Sequence, residues 1–215
     1  MVTQAPNPPQ AEVRFLALGD SYTIGESVRE SERWPMQLTE MLRHRGVRVA
    51  DPTVIAKTGW TTDELSAGID AALPQGKFDL VTLSIGVNNQ YRGRSVDEYR
   101  EQFRALLGRA VRFAGGNASH VIVVSIPDWS VTPFAVKSGR DRAKISSEVD
   151  AFNTVAKEEA ARGGATYVDV TPVSRRAATD AAQIAGDGLH PSGAMYAAWT
   201  DLIFPAAAAI LRVSK

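Results

Sequence analysis

Five short apolar runs punctuate the chain, at Arg14 to Leu18, Thr53 to Ala56, Leu80 to Ile85, Val121 to Ile126 and Thr166 to Val170. Consecutive apolar, β-branched positions predict strands covered on both faces, because a strand with one wet face would alternate polar and apolar residues. The longer segments between them predict helices, at Trp34 to Arg45, Thr62 to Leu73, Val96 to Phe113, Ile145 to Ala161 and Gly193 to Leu211. Thr61 with Glu64 and Ser95 with Glu98 have capping-box spacing and mark two helix starts. Gly46 and Gly163-Gly164 mark helix stops, and Pro205 should kink or end the last helix before Leu211.

Strand and helix alternate throughout, which predicts a parallel sheet between two helical layers, a three-layer α/β/α sandwich with five strands. In such sheets the ligand crevice lies beyond the carboxyl ends of the strands. Ser21, Gly59, Asn88 and the loop Pro127-Asp128-Trp129 each directly follow a predicted strand, so the rule brings them to one edge. His190 must reach that edge from the loop before the last helix.

Size and composition narrow the picture. At 215 residues and 44% hydrophobic content the chain suits a single domain, expected over 13–215 behind a polar, Pro-rich, flexible N-terminal tail at 1–12. Lys plus Arg and Asp plus Glu balance at 24 each, so no net field favours nucleic acid or an anionic membrane surface, and a small-molecule partner is expected. The absence of cysteine excludes disulfides, thiol nucleophiles and thiolate metal sites. No stretch reads as a signal peptide or approaches the roughly 18–20 apolar residues of an integral membrane span, so a soluble, cytoplasmic protein is the expectation. The pattern does not bear on oligomeric state.

Candidate chemistry comes from two short blocks. An apolar run ends in Gly19-Asp20-Ser21, and near the C-terminus stands Asp187-Gly188-Leu189-His190-Pro191. A carboxylate three residues before a histidine, across a glycine turn, can accept the imidazole Nδ1 proton and leave Nε2 to face a hydroxyl. Singly, each residue has an ordinary reading: Asp187 as a turn or cap, His190 as a packed histidine, Ser21 as a loop serine, Asp20 bonding its own turn. Gly59 likewise reads as a turn glycine and Asn88 as a loop amide.

Taken together with Thr58-Gly59-Trp60-Thr61 and Ile85-Gly86-Val87-Asn88-Asn89, the blocks resemble the SGNH (GDSL-type) hydrolase family, in order, from Phe15 to Trp199. The resemblance implies a flavodoxin-like strand order 2-1-3-4-5 and a serine esterase acting on small acyl or acetyl esters. It implies Ser21 as nucleophile and Asp187 with His190 as the acid–base pair. It also implies an oxyanion hole from the N–H groups of Ser21 and Gly59 and the Asn88 amide. The alternatives are an acyltransferase sharing the same acyl-enzyme and a non-catalytic binding module on the same fold. Two positions depart from the family pattern: Tyr22 replaces an apolar residue, and Asn89 replaces the usual Asp, which puts in doubt any ionic contact behind the site.

Asp20, Tyr22, Trp60, Asn89, Tyr91, Trp129 and Phe134 are candidate substrate contacts, although the aromatics are equally compatible with core packing. Arg92 and Arg94 suit a solvated face near the same loops, and His44 and His120 suit the surface. No metal and no cofactor is expected, since His-Glu-x-x-His, phosphate-loop and dinucleotide glycine patterns are missing. Gly-x-Ser-x-Gly is missing too, which disfavours the α/β-hydrolase fold.

Overall fold

The computed structural model describes residues 12–213, so most of the expected N-terminal tail, residues 1–11, lies outside the described residues. Five strands, β1 (Phe15–Asp20), β2 (Thr53–Lys57), β3 (Leu80–Ser84), β4 (Val121–Val124) and β5 (Thr166–Val168), form one sheet. Its order is β2-β1-β3-β4-β5 and every pairing is parallel. The helices are α1 (Ser21–Ile24), α2 (Trp34–His44), α3 (Thr62–Ala72), α4 (Val87–Tyr91), α5 (Val96–Phe113), α6 (Pro133–Ser138), α7 (Arg142–Gly163), α8 (Thr171–Ser174) and α9 (Gly193–Ile210). Helix α2 packs on α9 to cover one face of the sheet, and α3, α5 and α7 cover the other.

The central strands β1 and β3 are buried at every position, and they read as mainly apolar runs, with Thr82, Ser84 and Asp20 buried among the apolar residues. The edge strands β2 and β5 are partly exposed and shorter or more polar. Strand β4 stops at Val124, two residues before the apolar run does; the Ser125 N–H still donates to the Val168 carbonyl of β5 at 3.0 Å, while its hydroxyl donates to Asp169 at 3.0 Å and accepts from the N–H of Val170 at 2.8 Å.

The capping box forms at Thr61, where Glu64 accepts from the Thr61 N–H at 2.9 Å, and half of it forms at Ser95, whose Oγ accepts from the Glu98 N–H at 3.1 Å while the Glu98 carboxylate bonds Arg94 and Gln102. Helix α7 begins three residues before the predicted Ile145, because Asp141 caps it by accepting from the N–H groups of Ala143 and Lys144. Helix α9 continues through Pro205 to Ile210, so the proline does not stop it. The short helices α1, α4, α6 and α8 carry too few residues for a periodic signal, and the sequence pattern does not reveal them.

Helix α9 corrects a sequence expectation. Its 18 residues, with a hydropathy of 1.2, are apolar enough to cross a membrane by length and composition alone. Met195, Tyr196, Trp199, Thr200, Ile203 and Ala207 form its buried face, and Thr200 donates to the Trp34 carbonyl of α2 at 3.4 Å, so that face is packed on α2. On the other side of the sheet, Glu159 of α7, only 1% exposed, meets Arg100 and Arg104 of α5 and Arg162. Hydrogen bonds from these arginines, led by Arg104, outweigh its burial and hold the carboxyl down at about 2, pinning α5 to α7.

Candidate active site

Strand β1 ends inside the protein, and the chain turns directly into α1. Asp20 caps this short helix, its Oδ1 accepting from the Tyr22 N–H at 3.0 Å, and Gly25, at φ 65°, closes it. Ser21 is therefore the first helical residue, 4% exposed. Close packing underneath demands glycine at position 19, where a Cβ would stand 2.0 Å from Thr23 Oγ1 and 2.6 Å from the Ser84 carbonyl.

The loop before α9 comes to meet this serine from 169 residues away. Ser21 Oγ lies 2.9 Å from His190 Nε2, and His190 Nδ1 lies 2.6 Å from Asp187 Oδ2. A carboxylate can only accept, so Nδ1 carries the proton and Nε2 is left to accept from the serine hydroxyl. Asp187 Oδ1 accepts from the N–H groups of Leu189 at 2.9 Å and His190 at 3.0 Å, and its Oδ2 also accepts from Ser27 Oγ at 2.7 Å. Partial burial pushes the Asp187 carboxyl up, but the bonds from His190, Leu189 and Ser27 outweigh it and hold it well below the ordinary aspartate value. Gly188, at φ 76°, makes the turn, and its carbonyl accepts from the Phe134 N–H at 2.9 Å.

These groups open on a cavity of about 170 Å³ lined by Ser21, Tyr22, Thr58, Gly59, Val87, Asn88, Tyr91, Trp129, Phe134, Leu189 and His190. Gly59 sits in its rim at φ 84°, a backbone that a side chain rarely adopts, and space is not the constraint, since a Cβ there would meet only Arg92 Nη2 at 3.7 Å. Asn88 stands in α4, its amide Nδ2 donating to the Trp60 carbonyl at 3.0 Å. Gly86 precedes α4 at φ 133°, with the Tyr99 ring where a Cβ would go, and Tyr99 Oη donates to the Ile85 carbonyl at 3.0 Å.

Tyr22 packs its ring 4.8 Å from that of His190 and stacks on Trp199 at 6.5 Å. Burial, reinforced by the charges of Asp20 and Asp187, drives its phenol far above the usual range, so it stays neutral. Tyr91, Trp129 and Phe134 form a three-ring wall with centroids 5.5 to 6.2 Å apart. Trp129 is fixed by its Nε1–H, which donates to Gln90 Oε1 at 2.7 Å, while Gln90 donates to Glu148 at 2.8 Å. The preceding Asp128 is buried, yet bonds from Ser146, Ser130 and Arg175 hold its carboxyl down and anchor the loop.

Three of the predicted substrate contacts lie elsewhere. Asp20 is 1% exposed beneath the serine, with Oδ2 unpaired, and burial raises its carboxyl to about 7. Trp60 turns away from the cavity and packs its ring against Gly68 of α3, where a Cβ would be only 2.1 Å away. Asn89 is fully buried and clasps the start of α3: Oδ1 accepts from the Thr62 N–H at 3.1 Å and Nδ2 donates to Thr62 Oγ1 at 2.7 Å. An amide, which both accepts and donates, suits that pairing without an ionic partner. Arg92 bonds the Gly59 carbonyl at 2.6 Å and Glu64 at 3.2 Å, and Arg94 pairs with Asp63 and Glu98. His44 is exposed and His120 half-buried.

Thr58, Val87 and Leu189 line the cavity without having been singled out, though each neighbours a residue that was; nothing in the sequence marks Ser27 or Gln90.

The sequence profile of the GDSL-like Lipase/Acylhydrolase family matches residues 17–198. The chain belongs to that family. It is an ester hydrolase on that ground, and its sheet order is the one the resemblance implied. No curated protein sequence matches the chain. Solved structures share the fold at low identity. TesA superposes with a TM-score of 0.70 at 19% identity, covering 92% of this chain and 99% of its own. The esterase EstA from Pseudoalteromonas sp., solved inhibited by monoethylphosphonate, gives 0.70 at 16%, covering 94% and 100%. Axe2, an acetylxylan esterase from Geobacillus stearothermophilus, gives 0.64 at 20%, covering 93% and 94%.

Proposed function

We propose that this family member is a serine esterase that cleaves small acyl or acetyl esters through an acyl-enzyme on Ser21. The observation that carries the reading is the continuous chain from Ser21 Oγ through the His190 ring to Asp187, with steps of 2.9 and 2.6 Å, at the floor of a compact cavity. Ser21 Oγ attacks the ester carbonyl carbon as its proton passes to His190 Nε2, and Asp187 stays ionised to hold the imidazolium. The tetrahedral oxygen takes up its charge against the N–H groups of Ser21 and Gly59 and the Asn88 amide, which exchanges its Trp60 carbonyl for the oxyanion. His190 then gives its proton to the departing alkoxide and the alcohol leaves. Water, deprotonated by His190, attacks the acyl carbonyl, and the acid departs as the proton returns to Ser21.

The small volume and the wall of Tyr91, Trp129 and Phe134 favour a short acyl group over an extended chain. EstA and Axe2 carry names of ester-cleaving enzymes, in keeping with this reading. The test is hydrolysis of p-nitrophenyl esters from acetate to long acyl chains by the wild type and by Ser21→Ala. Turnover should be highest for the short esters and fall on the order of 10⁶-fold in the variant. Unchanged turnover in Ser21→Ala would remove the nucleophile and the mechanism.

A further inference from the structure

The turn that follows α1 touches both halves of the site. Ser27, two residues beyond the capping Gly25, holds its backbone at φ 65°. Leu73 and Arg212 are the other positive-φ residues with side chains among those described, and both follow the ends of long helices, where a left-handed residue is ordinary. Ser27 ends no helix. A strained backbone of this kind persists where its surroundings over-determine it, and such positions gather at functional sites.

The surroundings here are the site itself. Ser27 Oγ donates at 2.7 Å to Asp187 Oδ2, the same oxygen that faces His190 Nδ1, across 160 residues of sequence. The neighbouring Glu26 carboxylate accepts from the hydroxyl of Thr58, which lines the cavity beside Gly59. One turn, attached to the helix that carries Ser21, is thus bonded to the acid on one side and to the glycine loop on the other. Asp187 Oδ1 is held by two backbone N–H groups, whereas among the described residues Oδ2 has Ser27 as its one hydrogen-bond partner besides the imidazole. With the side chain 29% exposed, water would compete for Oδ2 if the hydroxyl were missing and let the carboxylate turn.

We propose that Ser27 is a positioning residue, a fourth member of the Ser21–His190–Asp187 chain, which keeps Asp187 Oδ2 aimed at His190 Nδ1 and is held in place by a left-handed turn. The proposal rests on the esterase reading above. Ser27→Gly removes the hydroxyl while relieving the backbone, so it separates position from folding. The expected result is an unchanged or raised Tm, a kcat lower by roughly 3- to 10-fold, the size of one ordinary hydrogen bond, and an unchanged KM. Ser27→Asn, which tolerates the left-handed backbone and restores an N–H donor, should recover part of the loss. The low-field proton resonance of His190 Nδ1–H, read in the resting protein, should move in Ser27→Gly and return towards its place in Ser27→Asn. Wild-type kcat together with an unmoved resonance in Ser27→Gly would overturn the proposal. Because the resonance needs no turnover, it decides the matter even if Ser21→Ala shows the esterase reading to be wrong.

Discussion

Asp20 and Asp187 reach Ser21 from opposite directions, one through the chain and the other through His190, and their surroundings treat them in opposite ways. Asp20 is almost fully buried and, among the described residues, its Oδ2 has no hydrogen-bond partner, so burial outweighs the backbone N–H groups and the proton is retained up to about 7. Asp187 is partly exposed and accepts four hydrogen bonds, from Ser27, Leu189 and two atoms of His190, so hydrogen bonding decides and the charge is kept. The difference teaches that nearness to Ser21 does not make a carboxylate the partner of a histidine. The number of donors aimed at it does.

The contrast can be broken most sharply at Asp187. Asp187→Asn should lower kcat by about 10⁴-fold, because the amide presents an N–H or a weaker acceptor to Nδ1 and favours the wrong imidazole tautomer. A loss of only a few fold, measured with the best short ester, would mean that His190 needs no charged partner. Asn88→Ala comes next, expected to cost about 10² to 10³ in kcat by removing one of the proposed oxyanion donors while leaving the Ser21–His190–Asp187 chain intact. Equal, mild losses in Asn88→Ala and Ser21→Ala would sink both roles together.

Asp20 supplies the most specific effect, read on stability and not on turnover. Its folded carboxyl holds a proton about three pH units above the ordinary value of 3.8, so its contribution to stability is complete below about pH 4 and is lost as the pH rises through about 7. The loss amounts to at most about 4 kcal/mol. Asp20→Asn keeps the acceptor for the Tyr22 N–H and carries no charge. Its Tm should therefore come closest to that of the wild type near pH 4 and exceed it by a growing margin up to pH 8. A wild-type Tm that rises between those pH values relative to Asp20→Asn would show the Asp20 charge to be stabilising. Asp187 has the opposite sign: its contribution is present above about pH 4 and lost as acid is added.

Much of the sheet was legible because its central strands are buried on both faces, and double burial writes itself as a mainly apolar run such as Leu80 to Ile85. Thr61 and Ser95 were legible as helix starts because capping is local chemistry. Boundaries such as Val124 were not, since β4 ends opposite Val168, the last residue of its distant partner β5. The Asp187–His190 pair could be read as a local three-residue spacing, and Gly59 and Asn88 only as members of an ordered set. Trp60 and Asn89 misled for one reason: both stand in the right loops, and a loop position does not say which way a side chain turns. Trp60 found the notch at Gly68 and Asn89 the free N–H of Thr62.

Sequence alone therefore determined the alternation of elements, the edge at which the loops meet, and the residue types available there for ester hydrolysis. Periodicity and turn chemistry act over a few residues, and a sequence displays them directly. Only the tertiary structure decided that Ser27 would bond Asp187, that Asp20 would be sealed beneath the serine, and that Tyr91, Trp129 and Phe134 would close into one wall. Those outcomes depend on packing between segments as much as 160 residues apart and on which polar groups burial leaves with donors, and no local pattern encodes either.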